Sequence, residues 1–554
     1  MLKQEVQPVI IIGAGPVGLI AAMDLATRGV SSIVLEMRSD EAPAHPRCNT
    51  TSARTMELLR RIGCDKEYRA CGLDPDYPND VTFSTEIGGQ EITRYYLPSV
   101  NARWQNDRMA HDGGWRSSER PHRASQFYLE RVLREHAASF SEIDVRFYQE
   151  VTKITQHDSV VDVEFKDTRT GEEQSLTAKY LLGCDGGRSV ARRQSGIKMS
   201  GGYTGLGMLQ SILFRSKDVL PKFEKNGRGW MNWCIGPDGS MANIIAIDGH
   251  DLWLTHMDRS EDQTEVSDEA IEQHLATVLG DPIDYEVLNT EMWQLNRVVA
   301  EDYRSGRVFL AGDAAHSWPP WAGHGMNSGI EDGIGITWMI AAVLKGWAPE
   351  SILDAYNLER QEAGERTSRA AEGMAAAQLG ILRDKELCGK LGLQNEEGEK
   401  AREIVTKRLW AEDSRQFNPE GLNFGLFYDR SPLIIYDDGV PPEYEVEIYT
   451  PTTVPGCRTP YFAMIDDGSS IYDHQCDGYT LIRTDENVDV SGLAEAAEAC
   501  GMPFKVIDIG HHQKACRLYD HKLVLVRPDN RVAWRSNESP LDAKHIIDKL
   551  RGAA

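Results

Sequence analysis

The chain divides by the spacing of its apolar positions. Residues 9–12 are a continuous apolar run, the pattern of a parallel strand covered on both faces. Six residues, Gly13, Ala14, Gly15, Pro16, Val17 and Gly18, separate it from Leu19, Ala22, Met23, Leu25 and Ala26, which recur at helical spacing as far as Gly29. Residues 33–35 are a second short apolar run. An amphipathic helix carrying Met56, Leu58, Leu59 and Ile62 is closed by Gly63, and another is predicted over 121–137 with Phe127, Leu129, Val132 and Leu133 inward. Between them, 77–115 is broken and turn-rich. Residues 145–147, 160–165 and 180–182 then alternate as strands, with a hairpin at Thr170-Gly171.

From 203 to 300 the pattern is that of an antiparallel sheet with one face free to line a pocket. Its strands fall at 208–214, 230–235, 243–247 and 252–256, and a helix at 268–279 interrupts them. Trp230, Trp233, Trp253 and Trp293 are core or pocket wall. Residues 308–311 form a short buried strand, followed by a turn at Gly312-Asp313 and a loop stiffened by Pro319 and Pro320 and loosened by Gly323 and Gly325. A helix starts near Met326-Asn327, and 334–390 are helical. Residues 412–442 read as a loop that docks back on the main body. The last hundred residues have the order β-α-β-β-α, which fits a thioredoxin-like unit. It carries no C-x-x-C, so dithiol chemistry is not expected.

These elements predict an α/β protein. A discontinuous Rossmann-like, glutathione-reductase-type FAD-binding domain takes 1–75, 120–202 and 300–390, and an inserted antiparallel-sheet substrate domain takes 76–119 and 203–299. A linker and docking segment (391–450) leads to the thioredoxin-like domain (451–554). A length of 554 residues demands more than one domain. The net charge of −25 argues against a nucleic-acid partner, because phosphates are repelled. The acids are dispersed, and the densest group, at 395–399, reads as a solvated helix face. No basic-then-apolar leader opens the sequence and no apolar run reaches the ~20 residues that span a bilayer, so no membrane association is expected. Ten cysteines without close pairs indicate neither a zinc site nor a disulfide framework, which points to a reducing cytoplasm.

Three stretches carry chemistry. Gly13, Gly15 and Gly18 satisfy G-x-G-x-x-G between a strand and a helix. The first allows the tight turn, the second lets a pyrophosphate approach, and the third lets helix and strand pack closely. Glu36 ends the next strand, where an acid receives a ribose hydroxyl, and a glutamate there favours FAD or NAD over a phosphorylated ribose. Asp185-Gly186, with Ser189 and Arg192 behind it, is a second acid at a strand end. Gly312-Asp313 is the third, before a helix start whose free N–H groups favour negative charge. Arg47 either reaches a pyrophosphate or flavin edge or is a solvated loop arginine.

Taken in order, the glycine fingerprint with Glu36, the Asp185-Gly186 turn with Arg192, and Gly312-Asp313 with its Pro-Pro-Gly loop resemble the class A flavoprotein aromatic hydroxylases, the para-hydroxybenzoate hydroxylase family. The terminal unit, with 456–460 (GCRTP) and Arg527-Pro528-Asp529, resembles the longer phenol and polyketide hydroxylases of this group. The resemblance implies that Gly13, Gly15 and Gly18, with Pro16 and Val17 between them, hold the FAD pyrophosphate and Glu36 the adenosine ribose. Arg47 and Gln126 match residues on the flavin side. Asp185 lies near the cofactor and the nicotinamide path, and Gly312-Asp313 meets the ribityl chain. Pro320, Gly323, Gly325, Met326 and Asn327 frame the ring. His324 stands where Gln or Lys is frequent, so its charge is expected to tune the ring. Gly335-Ile336 and Trp338-Met339 replace the family's Asn-Leu and Trp-Lys, which implies altered helix packing.

The implied reaction is the NADH- or NADPH-driven hydroxylation of a small phenolic substrate with O2, through a flavin 4a-hydroperoxide. His111 and Asp112 are candidates for the base that ionises the phenol, or else a chance pair in a solvent loop. Epoxidation or Baeyer–Villiger insertion on a polyketide is a competing reading, as is a flavin-binding interaction protein without catalysis. A homodimer is a family-level expectation.

Overall fold

The computed structural model describes residues 6–41, 47–105, 116–259, 266–464 and 468–554. His111 and Asp112 lie outside the described residues.

The first sheet is built on the glycine fingerprint. Gln7–Ile12, Ser32–Leu35 and Ile143–Arg146 run parallel on one side, and Glu173–Gly183 and Val308–Leu310 continue the parallel array on the other. Val9, Ile10 and Ile11 are fully buried, as the uninterrupted apolar run requires for a strand covered on both faces. The helices Pro16–Thr27 and His324–Leu344 pack together over this sheet. Their close approach depends on missing side chains: a Cβ at Gly329 would stand 2.7 Å from Gly312 Cα and 2.8 Å from Val17 Cγ2. The expected hairpin at Thr170-Gly171 joins Val161–Asp167 to Glu173–Gly183. A strand absent from the sequence reading, Gln149–Gln156, pairs with Val161–Asp167; its burial alternates too irregularly to give a period of two.

The second sheet has eight strands, drawn from 81–95, 199–259, 286–300 and 316–317. It is not wholly antiparallel: Val81–Ser84 pairs in parallel with Met231–Ile235, because the strand pair from 81–95 enters at the edge from far upstream. The interrupting helix is Asp268–Leu279, N-capped by Ser267 and closed by Gly280 in the left-handed region. Trp230, Trp233 and Trp253 are buried in the core of this second body, and Trp293 is partly buried at its edge.

Two further boundaries moved. The helix expected from 121 begins at Gln126, because 121–125 are extended and Thr51 and His122 exchange backbone hydrogen bonds; Phe127 is half-buried rather than inward. The helical stretch 334–390 is two long helices, His324–Leu344 and Asp354–Leu382, with a break at 345–353, then a short turn. The acidic group at 395–399 is the first turn of Glu396–Arg408, capped by Asn395, where carboxylates suit the helix dipole. The C-terminal unit is a four-stranded sheet, Tyr479–Arg483, Phe504–Asp508, Leu523–Val526 and Val532–Ser536, with the second strand at one edge and the fourth at the other. A helix not foreseen, Gln513–Tyr519, precedes its third strand.

Candidate functional site

Leu310, Gly183, Ile12 and Leu35 lie in one row across the parallel sheet, each the last residue of its strand and each paired in register with the next. The three acids follow that row by one to three positions: Glu36, Asp185 and Asp313. All three turns close on the glycine fingerprint. Glu36 Oε2 accepts the Ala14 N–H at 2.8 Å. Asp185 Cα would stand 3.4 Å from a Cβ at Gly13, and Val17 Cγ2 would stand 3.0 Å from one at Gly312. Gly13 is left-handed (φ +102°) and a Cβ there would meet Cys184 O at 2.4 Å, so only glycine fits.

The acids differ in how they are occupied. Glu36 is buried, and its other oxygen accepts from Arg38 N at 2.9 Å and Arg38 Nε at 3.1 Å. Asp185 Oδ2 accepts from Val190 N (2.6 Å) and Ala191 N (3.1 Å), capping the helix behind it, while Oδ1 is buried without a partner. Asp313 is exposed.

Both helix starts at this row are bare. Gly15 caps Pro16–Thr27 and Gly323 caps His324–Leu344; neither helix has a side-chain cap or an acid in its first turn. A Cβ at Gly15 or at Gly325 would meet nothing within 4 Å. Open space before two uncapped helix N-termini, beside an orphaned carboxylate oxygen, fits a ligand with a phosphate arm and polar hydroxyls. Among the described residues no cluster of His, Cys, Asp and Glu could hold a metal ion, and no helix is long and apolar enough to cross a membrane.

The Pro-Pro-Gly loop is held from below. The helix begins at His324, two residues before the predicted start, and Ala322 is left-handed (φ 61°), a conformation that costs a non-glycine residue about 1–2 kcal/mol. Asn327 is buried, and its side chain ties loops together: Oδ1 accepts Ser52 N at 2.9 Å, and Nδ2 donates to Thr50 O at 3.0 Å and Gly323 O at 2.6 Å. Pro320 is exposed, and Met326 is partly buried against the first core. Arg47 pairs with Glu291 at 2.9 Å and also feels the charges of Asp313 and Glu130. Gln126 donates its N–H to Cys48 O at 2.7 Å and its amide to Glu130 at 2.8 Å. The structure therefore gathers Arg47, Gln126, Asp313 and the 320–327 loop around the segment 47–52.

His324 departs from expectation. Burial pushes its pKa below the ordinary imidazole value, and Nδ1 donates to Ala322 O at 2.9 Å, leaving Nε2 buried and without a partner. The ring is neutral, so it supplies a lone pair rather than the expected charge.

Sequence reading missed Asp332. Its Oδ2 accepts Gly312 N at 3.1 Å and His316 Nε2 at 2.8 Å, and its Oδ1 accepts Arg360 Nε at 2.8 Å. Burial alone would raise its pKa, but Arg360 and His316 hold it below the usual carboxylate range. It thus fixes the turn carrying Asp313. Nothing local hinted at it: Asp332 shares its helix with Asn327, Ser328 and Glu331, and its three partners lie in other elements.

A family described as FAD binding domain matches residues 6–371, and one described as aromatic-ring hydroxylase, C-terminal, matches 452–554. The FAD-dependent monooxygenase apdD of Emericella nidulans is 32% identical over 98% of this chain and 90% of its own. Phenol 2-monooxygenase of a Pseudomonas species is 28% identical over 98% of this chain and 92% of its own. The solved structure of chromopyrrolic acid-soaked RebC with bound 7-carboxy-K252c superposes with a TM-score of 0.88 at 28% identity, covering 100% of both chains.

Proposed function

The chain belongs to the FAD-binding aromatic-ring hydroxylase family, and on that premise we propose that it hydroxylates a phenolic ring with O2 at the expense of NADH or NADPH. It is an enzyme, an FAD-dependent monooxygenase. The observation that carries the finer reading is the row of strand ends, where three acid-tipped turns close on one glycine fingerprint beneath open space.

When bound, FAD supplies electron transfer from the nicotinamide and the activation of oxygen. The protein holds it and excludes water. The bare start of Pro16–Thr27, with Gly13, Gly15, Pro16, Val17 and Gly18, receives the pyrophosphate. Glu36 lies at the ribose and shapes the fingerprint through Ala14. Asp185, through its unpartnered oxygen, and Asp313 face the sugar-alcohol chain. Gly312 lies with Asp313 at that chain; Pro320, Gly323, His324, Gly325 and Met326 would line the ring, and Asn327 holds that loop on 50–52. The uncapped start of His324–Leu344 would stabilise negative charge on the ring. Arg47 and Gln126 close the ring's outer side. His111 and Asp112 are the proposed base, on their place in the chain between the second-sheet strands and Gln126.

The three-body division, with substrate held between the first two sheets and 391–450 as docking segment, is supported by the separate sheets. We read the C-terminal unit as thioredoxin-like, supported by its strand order and the antiparallel third and fourth strands. Among the relatives, one is named phenol 2-monooxygenase and others putative polyketide hydroxylase. A polyketide phenol is therefore the second reading of the substrate. The test is a phenol and polyketide panel offered to the FAD-loaded protein with NADH or NADPH. The reading requires a substrate that accelerates nicotinamide oxidation and gains the mass of one oxygen atom. Turnover without oxygen incorporation across the panel contradicts it.

A further inference from the structure

Arg123 is a cation that meets no counter-charging carboxylate among the described residues. It belongs to the extended segment before Gln126 and is 7% exposed. One guanidinium nitrogen donates to Thr50 Oγ1, and the plane of charge lies over the Trp230 ring, 4.1 Å from its centroid. Its Nε is buried and has no acceptor. Among the described residues no carboxylate pairs with it; burial lowers its pKa to about 10, and the only opposing influence is the thiol of Cys48. It remains protonated at neutral pH all the same.

A buried charge without a partner is costly, and most buried guanidinium groups here avoid that. Arg360 meets Asp332, Arg458 meets Glu57, and Arg527 meets Glu359 and Asp529. Arg123 instead stands where the two sheets meet the proposed cofactor loop. Thr50, which it touches, is bonded to Asn327, and a Cβ at Gly323 would lie 3.0 Å from Thr50 Cβ. Trp230, on its other side, belongs to the aromatic core of the second body. A guanidinium propped on an indole face, with a buried unpartnered N–H and no carboxylate among the described residues, suits an anionic oxygen on a flat aromatic molecule.

We propose that Arg123 docks the ionised oxygen of the aromatic substrate, a phenolate or a ring carboxylate, and so selects for substrates that carry one. The inference rests on the monooxygenase reading. As a specificity residue it stabilises the phenolate, the more electron-rich form of the ring, before oxygen transfer.

The test uses the FAD-loaded protein, with FAD content checked in each variant. 4-Nitrophenol is titrated by its phenolate absorbance and benzoate by its perturbation of the flavin spectrum. Wild type should lower the pKa of bound 4-nitrophenol by about one unit or bind benzoate, at least tenfold better than Arg123→Met in either case, and Arg123→Lys should recover part of the effect. Tight 4-nitrophenol with weak benzoate identifies a phenolate site, and the reverse a carboxylate site. Equal binding and equal ionisation in wild type and Arg123→Met would overturn the proposal, as would failure of wild type to bind either probe. Hydroxylation of any phenol, measured alongside, keeps that failure separate from failure of the monooxygenase reading.

Discussion

The cofactor row and the seam beneath the C-terminal unit are both buried contacts between distant parts of the chain, yet they are made by opposite means. The row is made of backbone: glycines in tight turns, bare helix starts and carboxylates that accept N–H groups. The seam is made of charged side chains. Arg527 gives two bonds to Glu359, at 2.5 and 2.8 Å, and two to Asp529, at 2.7 and 3.1 Å, while Arg458 grips both oxygens of Glu57 at 2.6 and 2.8 Å. Arg54 and Arg61 reach the carbonyls of Asp529 and Pro528. A site made of backbone stays open for a ligand because little side chain fills it. A seam made of charge pairs fixes one orientation, because any other leaves charges buried and unpaired. The two are linked: Glu359 on the seam adjoins Arg360, which holds Asp332 on the Gly312 turn.

The largest expected effect is at the seam. Arg527→Ala leaves Glu359 and Asp529 uncompensated and should cost about 3–5 kcal/mol in urea unfolding. Arg527→Met with Glu359→Leu and Asp529→Leu should recover most of that loss; if it does not, the seam is held by something other than charge pairing.

In the row, Gly13→Ala combines a clash with Cys184 O and a disallowed φ, so roughly 2–4 kcal/mol of stability and at least a tenfold loss in FAD affinity are expected. Asp332→Asn should be milder, about 2 kcal/mol, since it removes the charge that satisfies Arg360 and His316. Its fingerprint is a weakened FAD affinity with the C-terminal unit still folded, read by flavin fluorescence beside far-UV dichroism.

Asp413 sharpens the contrast, being a buried acid outside both regions. It accepts from Tyr95 OH at 3.1 Å and from Gln416, and burial pushes its pKa to about 7. Because the folded-state value is raised, its contribution is full below the free carboxyl's 3.8 and is lost as pH rises toward about 7. Stability should therefore fall between pH 4 and 7 by on the order of 1 kcal/mol per unit at the steepest. Asp413→Asn, which keeps an acceptor for Tyr95, should flatten that slope in urea melts. The smallest effect is expected at an exposed pair such as Lys153–Glu164, at 2.6 Å: Glu164→Gln should change stability by less than about 0.5 kcal/mol.

The same contrast explains what the chain discloses before folding. The fingerprint, Glu36, the Asp185 turn and the Gly312 loop were legible because each is local: glycine spacing and strand-end acids state their own backbone conformation. Asp332 and Arg123 were not, and Arg458 and Arg527 stood out in their motifs without their ion-pair role, because each gains its meaning from a partner far away in sequence: Arg123 from Trp230, Arg458 from Glu57, Arg527 from Glu359. Trp338, which keeps the family's tryptophan, is of that kind too: it packs against Tyr479 and beneath Arg527, in the C-terminal unit. His324 was legible in identity but not in charge, which burial decides.

The central claim is that the ends of the 7–12, 32–35, 173–183 and 308–310 strands frame one FAD. A crystal structure of the FAD-loaded protein tests it most directly. The pyrophosphate should lie at Gly15, and the ring between the 320–327 loop and the Arg47–Gln126 side. FAD bound away from that row, or touching only one of Glu36, Asp185 and Asp313, would contradict it.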